Sequence, residues 1–184
     1  LTYIPSELAQ LPSRLTNLLV QSTVAQKSDF PALPPTLRIL AVTNYGYPTM
    51  PLGFTEFPES LKVLSLHMHA FHRNTKRLPS GLESLSCPFD AFPPGFGTEH
   101  LPESLTSLTI DSHEVGAHTN AFFYAKGTIS QLSRLRELVL ACSEAPSLCE
   151  NFVNSICPVA PLKRLLWRYH EPEHVDNEFD YLFS

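Results

Sequence analysis

Long apolar runs are missing from this chain. Nowhere do apolar residues continue for the ~18 or more positions that a membrane-spanning helix needs, and no cationic-then-apolar segment opens it. A membrane span is therefore not expected. Positive charge is scarce as well. Thirteen Lys and Arg stand against eighteen Asp and Glu, a net charge of −5. A phosphate-neutralising surface needs clustered cations, so nucleic acid is not an expected partner. Cysteine is sparse and unpatterned: Cys87, Cys142, Cys149 and Cys157 form no C-x-x-C pair, and no asparagine starts an N-x-Ser/Thr acceptor site. Both absences fit a reducing, intracellular compartment, and a cytoplasmic location is the expectation. No serine sits in a nucleophile-elbow motif and no Cys–His spacing suggests a catalytic pair. An enzyme is not expected, nor a cofactor, nor a small-molecule substrate.

What the chain does have is proline, seventeen residues of it in 184, together with 43% hydrophobic and 17% charged residues. The balance is that of a globular protein, and the length suits one domain with a real core. The prolines are not scattered. Five segments align without gaps: LPSRLTNLLV from Leu11, LPPTLRILAV from Leu33, FPESLKVLSL from Phe57, LPSGLESLSC from Leu78 and LPESLTSLTI from Leu101. Each reads Leu/Phe-Pro-x-x-Leu-x-x-Leu-x-apolar. LSRLRELVL from Leu132 and PLKRLLW from Pro161 keep the leucine spacing without the proline. With the leucine after Pro-x-x as anchor, the anchors are Leu15, Leu37, Leu61, Leu82, Leu105, Leu135 and Leu162, at successive intervals of 22, 24, 21, 23, 30 and 27 residues. Ten residues beyond each anchor stand Ala25, Tyr47, Phe71, Phe92, Val115, Ala145 and Pro172, most of them apolar.

These intervals and the Leu-x-x-Leu-x-Leu core resemble leucine-rich-repeat proteins over roughly residues 11–172. The Pro-x-x-Leu-x-x-Leu subtype is similar to FNIP-type repeats and to the short repeats of bacterial effectors. It departs from both: no Phe-Asn-x-Pro follows the strands, and effector repeats are shorter. The resemblance implies an α/β solenoid, an arc with about seven parallel strands on the concave face, and loops and two helices on the convex face. The anchor, anchor+3 and anchor+5 side chains turn inward and stack from unit to unit, building a core that no single unit could bury. Proline just upstream has no N–H to lose and suits the turn leading into each strand. The helices are expected over Asn120–Arg134 and Ser147–Cys157. The second carries Leu148, Phe152 and Ile156 at helical spacing, with Ser147 as N-cap and Pro158 as its end. Residues 1–184 read as a single leucine-rich-repeat domain: 1–10 an N-terminal cover, 11–170 the repeats, and 171–184 an acidic C-terminal tail or cap. Opening on Leu1 rather than Met, the chain is compatible with a longer protein.

The outward columns of such an arc fall at anchor+2, +4 and +6. They run Asn17, Ile39, Val63, Ser84, Ser107, Glu137, Arg164; then Leu19, Ala41, Ser65, Ser86, Thr109, Val139, Leu166; then Gln21, Thr43, His67, Pro88, Asp111, Ala141, Arg168. The centre is small and rich in hydroxyls, with Ile39 and Val63 beside it. Small side chains permit close approach, and hydroxyls both donate and accept. The resemblance and these columns together imply a non-catalytic interaction module. It would hold a protein or peptide through Ile39, Val63, Ser65, His67, Ser84, Ser86, Ser107 and Thr109. The alternative is a structural subunit of a larger multiprotein assembly. Ordinary β-formers on a solvated sheet are the plainer account of the same columns. Basic residues at anchor+1, Arg38, Lys62, Arg136 and Lys163, would rim one edge.

His67-x-His69-x-x-His72 is the most metal-like cluster, because imidazoles two apart on a strand share a face. The repeat frame explains it differently. Anchor+8 holds Thr23, Tyr45, His69, Asp90, His113, Ser143 and His170, all able to hydrogen-bond, in the slot where the family carries a turn-stabilising asparagine. His69 is thus expected to stabilise a turn, with no metal bound. Cys87 falls in the anchor+5 column and is expected to be buried as a small apolar residue. Cys149 and Cys157 lie about 12 Å apart along the expected helix, too far to bond with each other.

Overall fold

The computed structural model describes residues 11–22, 32–44, 50–51, 56–67, 69–70, 75, 77–88, 100–111, 132–142, 161–170 and 176–182. Pro-x-x-Leu is a turn. In five units the anchor amide donates to the proline carbonyl three residues earlier: Leu15 to Pro12, Leu37 to Pro34, Leu61 to Pro58, Leu82 to Pro79 and Leu105 to Pro102, at 2.9–3.1 Å. Leu135 donates to Leu132 in the same way at 2.9 Å. The proline therefore contributes its acceptor and its restricted φ, and the turn also forms without it.

Each turn leads into a strand. The strands are β1 (Asn17–Ser22), β2 (Ile39–Asn44), β3 (Met50–Pro51), β4 (Val63–His67), β5 (His69–Ala70), β6 (Ser84–Pro88), β7 (Ser107–Asp111), β8 (Glu137–Cys142), β9 (Arg164–His170) and β10 (Asp176–Leu182). Eight of them form one sheet in the order β1-β2-β4-β6-β7-β8-β9-β10. The seven from β1 to β9 in that order are parallel, and all begin two residues after their anchors. The register is uniform: Leu40 stands beside Leu18 and Leu64, and Leu108 beside Leu85 and Leu138. β3 and β5 make a small separate parallel pair. The helices expected over 120–134 and 147–157 lie outside the described residues, except 132–134, which belong to the Leu132–Leu135 turn.

Plain strand alternation cannot put anchor and anchor+3 on one face, because three is odd. The hydrogen bonds resolve this. Every anchor+1 carbonyl accepts two amides from the next unit, those of its anchor+1 and anchor+2 residues. Thr16 accepts from Arg38 at 2.7 Å and from Ile39 at 3.0 Å, and the pattern recurs at Arg38, Lys62, Glu83, Thr106 and Arg136. The doubled acceptor marks the shift from turn to strand: the anchor precedes the strand, so the turn sets its direction and strand alternation applies only from anchor+2 onward, with the register unchanged. Anchor, anchor+3 and anchor+5 then all face inward.

The core follows from that shift. Leu37, Leu40, Leu61, Leu64, Leu82, Leu85, Leu105, Leu108, Leu135 and Leu138 are all fully buried. Val20, Val42, Leu66, Cys87, Ile110 and Leu140 fill the anchor+5 column at 1–2% exposure. Cys87 is buried outside any disulfide, in the slot expected for it. The residues before proline, Leu78 and Leu101, join the same cluster, and Leu33 and Phe57 pack against it half-buried.

A further ladder ties the turns together. Thr36 Oγ1 approaches the carbonyls of Ser13 and Leu15, both at 2.9 Å. Ser60 Oγ does the same to Pro35 and Leu37 at 2.7 and 2.6 Å, and Ser104 Oγ to Ser80 and Leu82 at 2.8 and 2.6 Å. One hydroxyl proton, shared between two carbonyls of the preceding turn, links unit to unit at the position just before the anchor. In the unit of Leu82 that position is Gly81, and no hydroxyl is available. There the Glu59 carboxylate accepts from the Ser80 amide and hydroxyl, both at 3.2 Å, and lies 3.4 Å from Arg77 Nη2.

Candidate outward sheet face

Turning the leucine columns inward sends anchor+2, +4 and +6 to the opposite face. Register fixes their neighbours. Ile39 stands beside Val63, Val63 beside Ser84, and Ser84 beside Ser107; Ser65 stands beside Ser86, and Ser86 beside Thr109. Strands spaced ~4.8 Å apart bring these side chains into one continuous surface over β2, β4, β6 and β7. His67 is placed next to Thr43 at the far end of this surface. All eight residues singled out from sequence therefore share one face.

Their exposure grades across the sheet. Leu19 on β1 is 53% exposed and Ile39 on β2 is 38% exposed, the large apolar side chains most open to water among the described residues. Val63, Ser65, His67, Ser84, Ser86, Ser107 and Thr109 are half-buried by their neighbours. The surface thus passes from apolar on β1, β2 and β4 to hydroxyl-lined on β6 and β7. On β8 and β9 it becomes charged, with Glu137 exposed and Arg164 half-buried.

Two members of the outward columns depart from expectation. Pro88 is buried at the end of β6. Leu166 is only 2% exposed, although it is not part of the core cluster. Its side lies away from that core, so the outward face of β9 is covered at Leu166, while Arg164 on the same strand stays half-buried. Side chains at Gln21, Asp111, Ala141 and Arg168 lie outside the described residues.

The basic rim is only partly available. Lys62 Nζ lies 3.0 Å from Glu83 Oε1 and donates to the Gly81 carbonyl at 3.1 Å. Arg136 Nη1 donates to the Leu135 carbonyl at 3.3 Å. Arg38 and Lys163 are exposed. With Thr16, Glu83 and Thr106 interleaved at the same anchor+1 position, the rim is mixed rather than cationic.

The other chemistry proposed from sequence is less accessible to the structure. Of the His67, His69 and His72 cluster, only the His67 side chain is among the described residues. The turn slot at anchor+8 and the pair Cys149 and Cys157 lie outside those whose side chains are described. Among the described residues no group of three His, Cys, Asp or Glu is arranged to hold a metal ion. No helix among them is long and apolar enough to cross a membrane. No family model matches the chain, and neither does any curated protein or solved structure.

Proposed function

We propose that the chain is a leucine-rich-repeat solenoid that works as a non-catalytic interaction module, holding a protein or peptide segment on the outward, concave face of its parallel sheet. The observation that carries this reading is the separation of tasks between the two faces. Stability resides in the inward columns, whereas Ile39, Val63, Ser65, Ser84, Ser86, Ser107 and Thr109 are half-buried or exposed and belong to none of them. Apolar side chains on β2 and β4 would gain roughly 25 cal/mol per Å² of area covered by a partner. The neighbouring hydroxyls would orient it by hydrogen bonds, and their small size would let its backbone approach closely.

Replacing Ser86 or Thr109 by Trp should block binding of the native partner while leaving the melting temperature nearly unchanged, because both project from the face opposite the core. A pull-down from the native source with each variant provides the measurement. Undiminished capture by both variants would move the interface elsewhere. It would then favour the second reading, a structural subunit of a larger assembly, which the exposed Leu19 at the β1 end also supports.

A further inference from the structure

The two ends of the eight-stranded sheet are finished differently. At one end β10 runs antiparallel to β9 over seven register pairs, from Asp176 opposite His170 to Leu182 opposite Arg164. The anchor and anchor+3 leucines of that last unit, Leu162 and Leu165, are 9% and 5% exposed. At the other end β1 has a single neighbour among the described residues, β2. There the corresponding Leu15 and Leu18 are only partly buried and Leu19 is 53% exposed. Edges of this kind are normally guarded by charge, proline or a bulge. β1 reads NLLVQS and carries none of the first two.

We propose that β1 is a self-association edge, and that a second copy of this chain closes it by antiparallel β1–β1 pairing about a two-fold axis through Leu19. The backbone polarity of β1 determines which residues can take part. The Thr16 carbonyl accepts from β2, and the Val20 carbonyl accepts from Thr43 Oγ1 at 3.4 Å, so the even-numbered residues turn their polar groups toward β2. Asn17, Leu19 and Gln21 consequently direct their N–H and C=O groups to the edge away from β2, which has no strand among the described residues. A two-fold axis at Leu19 makes Leu19 and the partner's Leu19 a hydrogen-bonded pair, and sets Asn17 opposite the partner's Gln21.

Side-chain pattern selects this register over its neighbours. With the axis at Leu19, Leu18 meets the partner's Val20 on the core side, and Leu19 meets the partner's Leu19 on the outward side. Moving the axis to Leu18 sets Leu19 opposite the partner's Asn17. Moving it to Val20 sets Leu19 opposite the partner's Gln21 and Leu18 opposite the partner's Ser22. Only the first register matches apolar with apolar on both faces. No ionised side chain enters the ladder. Arg14, the nearest along the chain, lies in the turn before β1 and outside the paired residues. An axis perpendicular to the sheet keeps both outward faces on one side. The chain's own far end shows that this sheet accepts an antiparallel strand on its edge.

The test is sedimentation and light scattering of the 184-residue chain across a concentration series, with site-directed cross-linking. The expected mass rises toward twice 20.6 kDa. Leu19→Lys, which sets two ammonium groups opposite each other, should hold the chain at the monomer mass at every concentration, with the parent's melt at dilutions where the parent is itself monomeric. Leu19→Cys should cross-link to its own copy under mild oxidation above the level of the parent chain, because hydrogen-bonded antiparallel partners lie ~5.5 Å apart at Cα. Asn17→Cys should cross-link only when mixed with Gln21→Cys. A monomer mass at every concentration, an association undiminished by Leu19→Lys, or self-cross-linking of Asn17→Cys as strong as that of Leu19→Cys would each overturn the proposal. None of these outcomes bears on binding at Ser86 and Thr109.

Discussion

Single residues decide how firmly neighbouring units are joined. Thr36, Ser60 and Ser104 each reach two carbonyls of the turn before them, and Gly81 leaves the matching place empty of a hydroxyl. A β-carbon added at Gly81 would lie 3.3 Å from Lys62 Nζ, the far end of a flexible side chain, and 3.8 Å from the Glu59 carbonyl oxygen. The lysine can swing aside, and a serine hydroxyl can then reach the Glu59 and Leu61 carbonyls. Gly81→Ser should therefore stabilise the chain by about 1 kcal/mol, from the new hydrogen bond and a less flexible unfolded state. Ser104→Ala should cost about 1 kcal/mol for the opposite reason. Urea unfolding of both variants measures this; a Gly81→Ser midpoint below that of the parent would show that the lysine cannot yield. In the core, Leu64→Ala and Leu85→Ala should each cost roughly 2–5 kcal/mol, the range for truncating fully buried leucine in a packed interior. A thermal melt unchanged by either would mean that the inward column is misassigned.

At the scale of the strand, the turn that holds the anchor just before anchor+2 is what makes Leu-x-x-Leu-x-Leu a one-faced pattern. The leucine pattern is legible in the sequence; the anchor+1 carbonyl that accepts two amides of the next unit is not, because it is a relation between two stacked units and leaves no residue type of its own. β10 was hidden for a related reason. Its sequence, DNEFDYL, alternates acidic and aromatic residues, but its partner is a strand of the opposite direction that no repeat spacing foretells. The sequence pattern predicts an acidic tail or cap over 171–184, and residues 176–182 form a strand that pairs with β9 at the end of the main sheet. Ending the chain before Asp176 would strip β9 of its hydrogen-bonded neighbour and expose Leu162 and Leu165. A loss of about 2 kcal/mol is expected, lowering the melting midpoint by roughly 4–8 °C for a domain of this size, with a greater tendency to aggregate. Calorimetry with light scattering reads both effects. A truncated chain melting with the parent would show that β10 adds nothing to the edge.

For the molecule as a whole, the parallel register divides the surface by function. One face holds the leucine columns, and the other presents a gradient from Leu19, Ile39 and Val63 through the serines to Glu137 and Arg164. A partner running across the strands would meet apolar, hydroxyl-lined and charged zones in turn. The covering of Leu166 would keep it from the centre of β9. Pairing at the β1 edge would take up Leu19 and leave the positions of Ser86 and Thr109 untouched, so binding around those two residues and edge pairing could occur together.

The amino-acid sequence by itself determined the spacing of the strands, the identity of the three inward columns and the membership of the outward face. Each rests on local pattern: a turn motif that recurs, and side chains whose polarity marks the face they occupy. The tertiary structure alone decided how anchor and anchor+3 come to share a face, which hydroxyls clamp one turn to the next, that Lys62 is taken up by Glu83 and Gly81, and that Leu166 is covered. It also decided that one end of the sheet is closed by a reversed strand while β1 keeps a single neighbour among the described residues. The contacts between repeated units join groups more than fifteen residues apart, the reversed strand pairs across a shorter separation, and both are set by how whole elements pack rather than by the composition of any one.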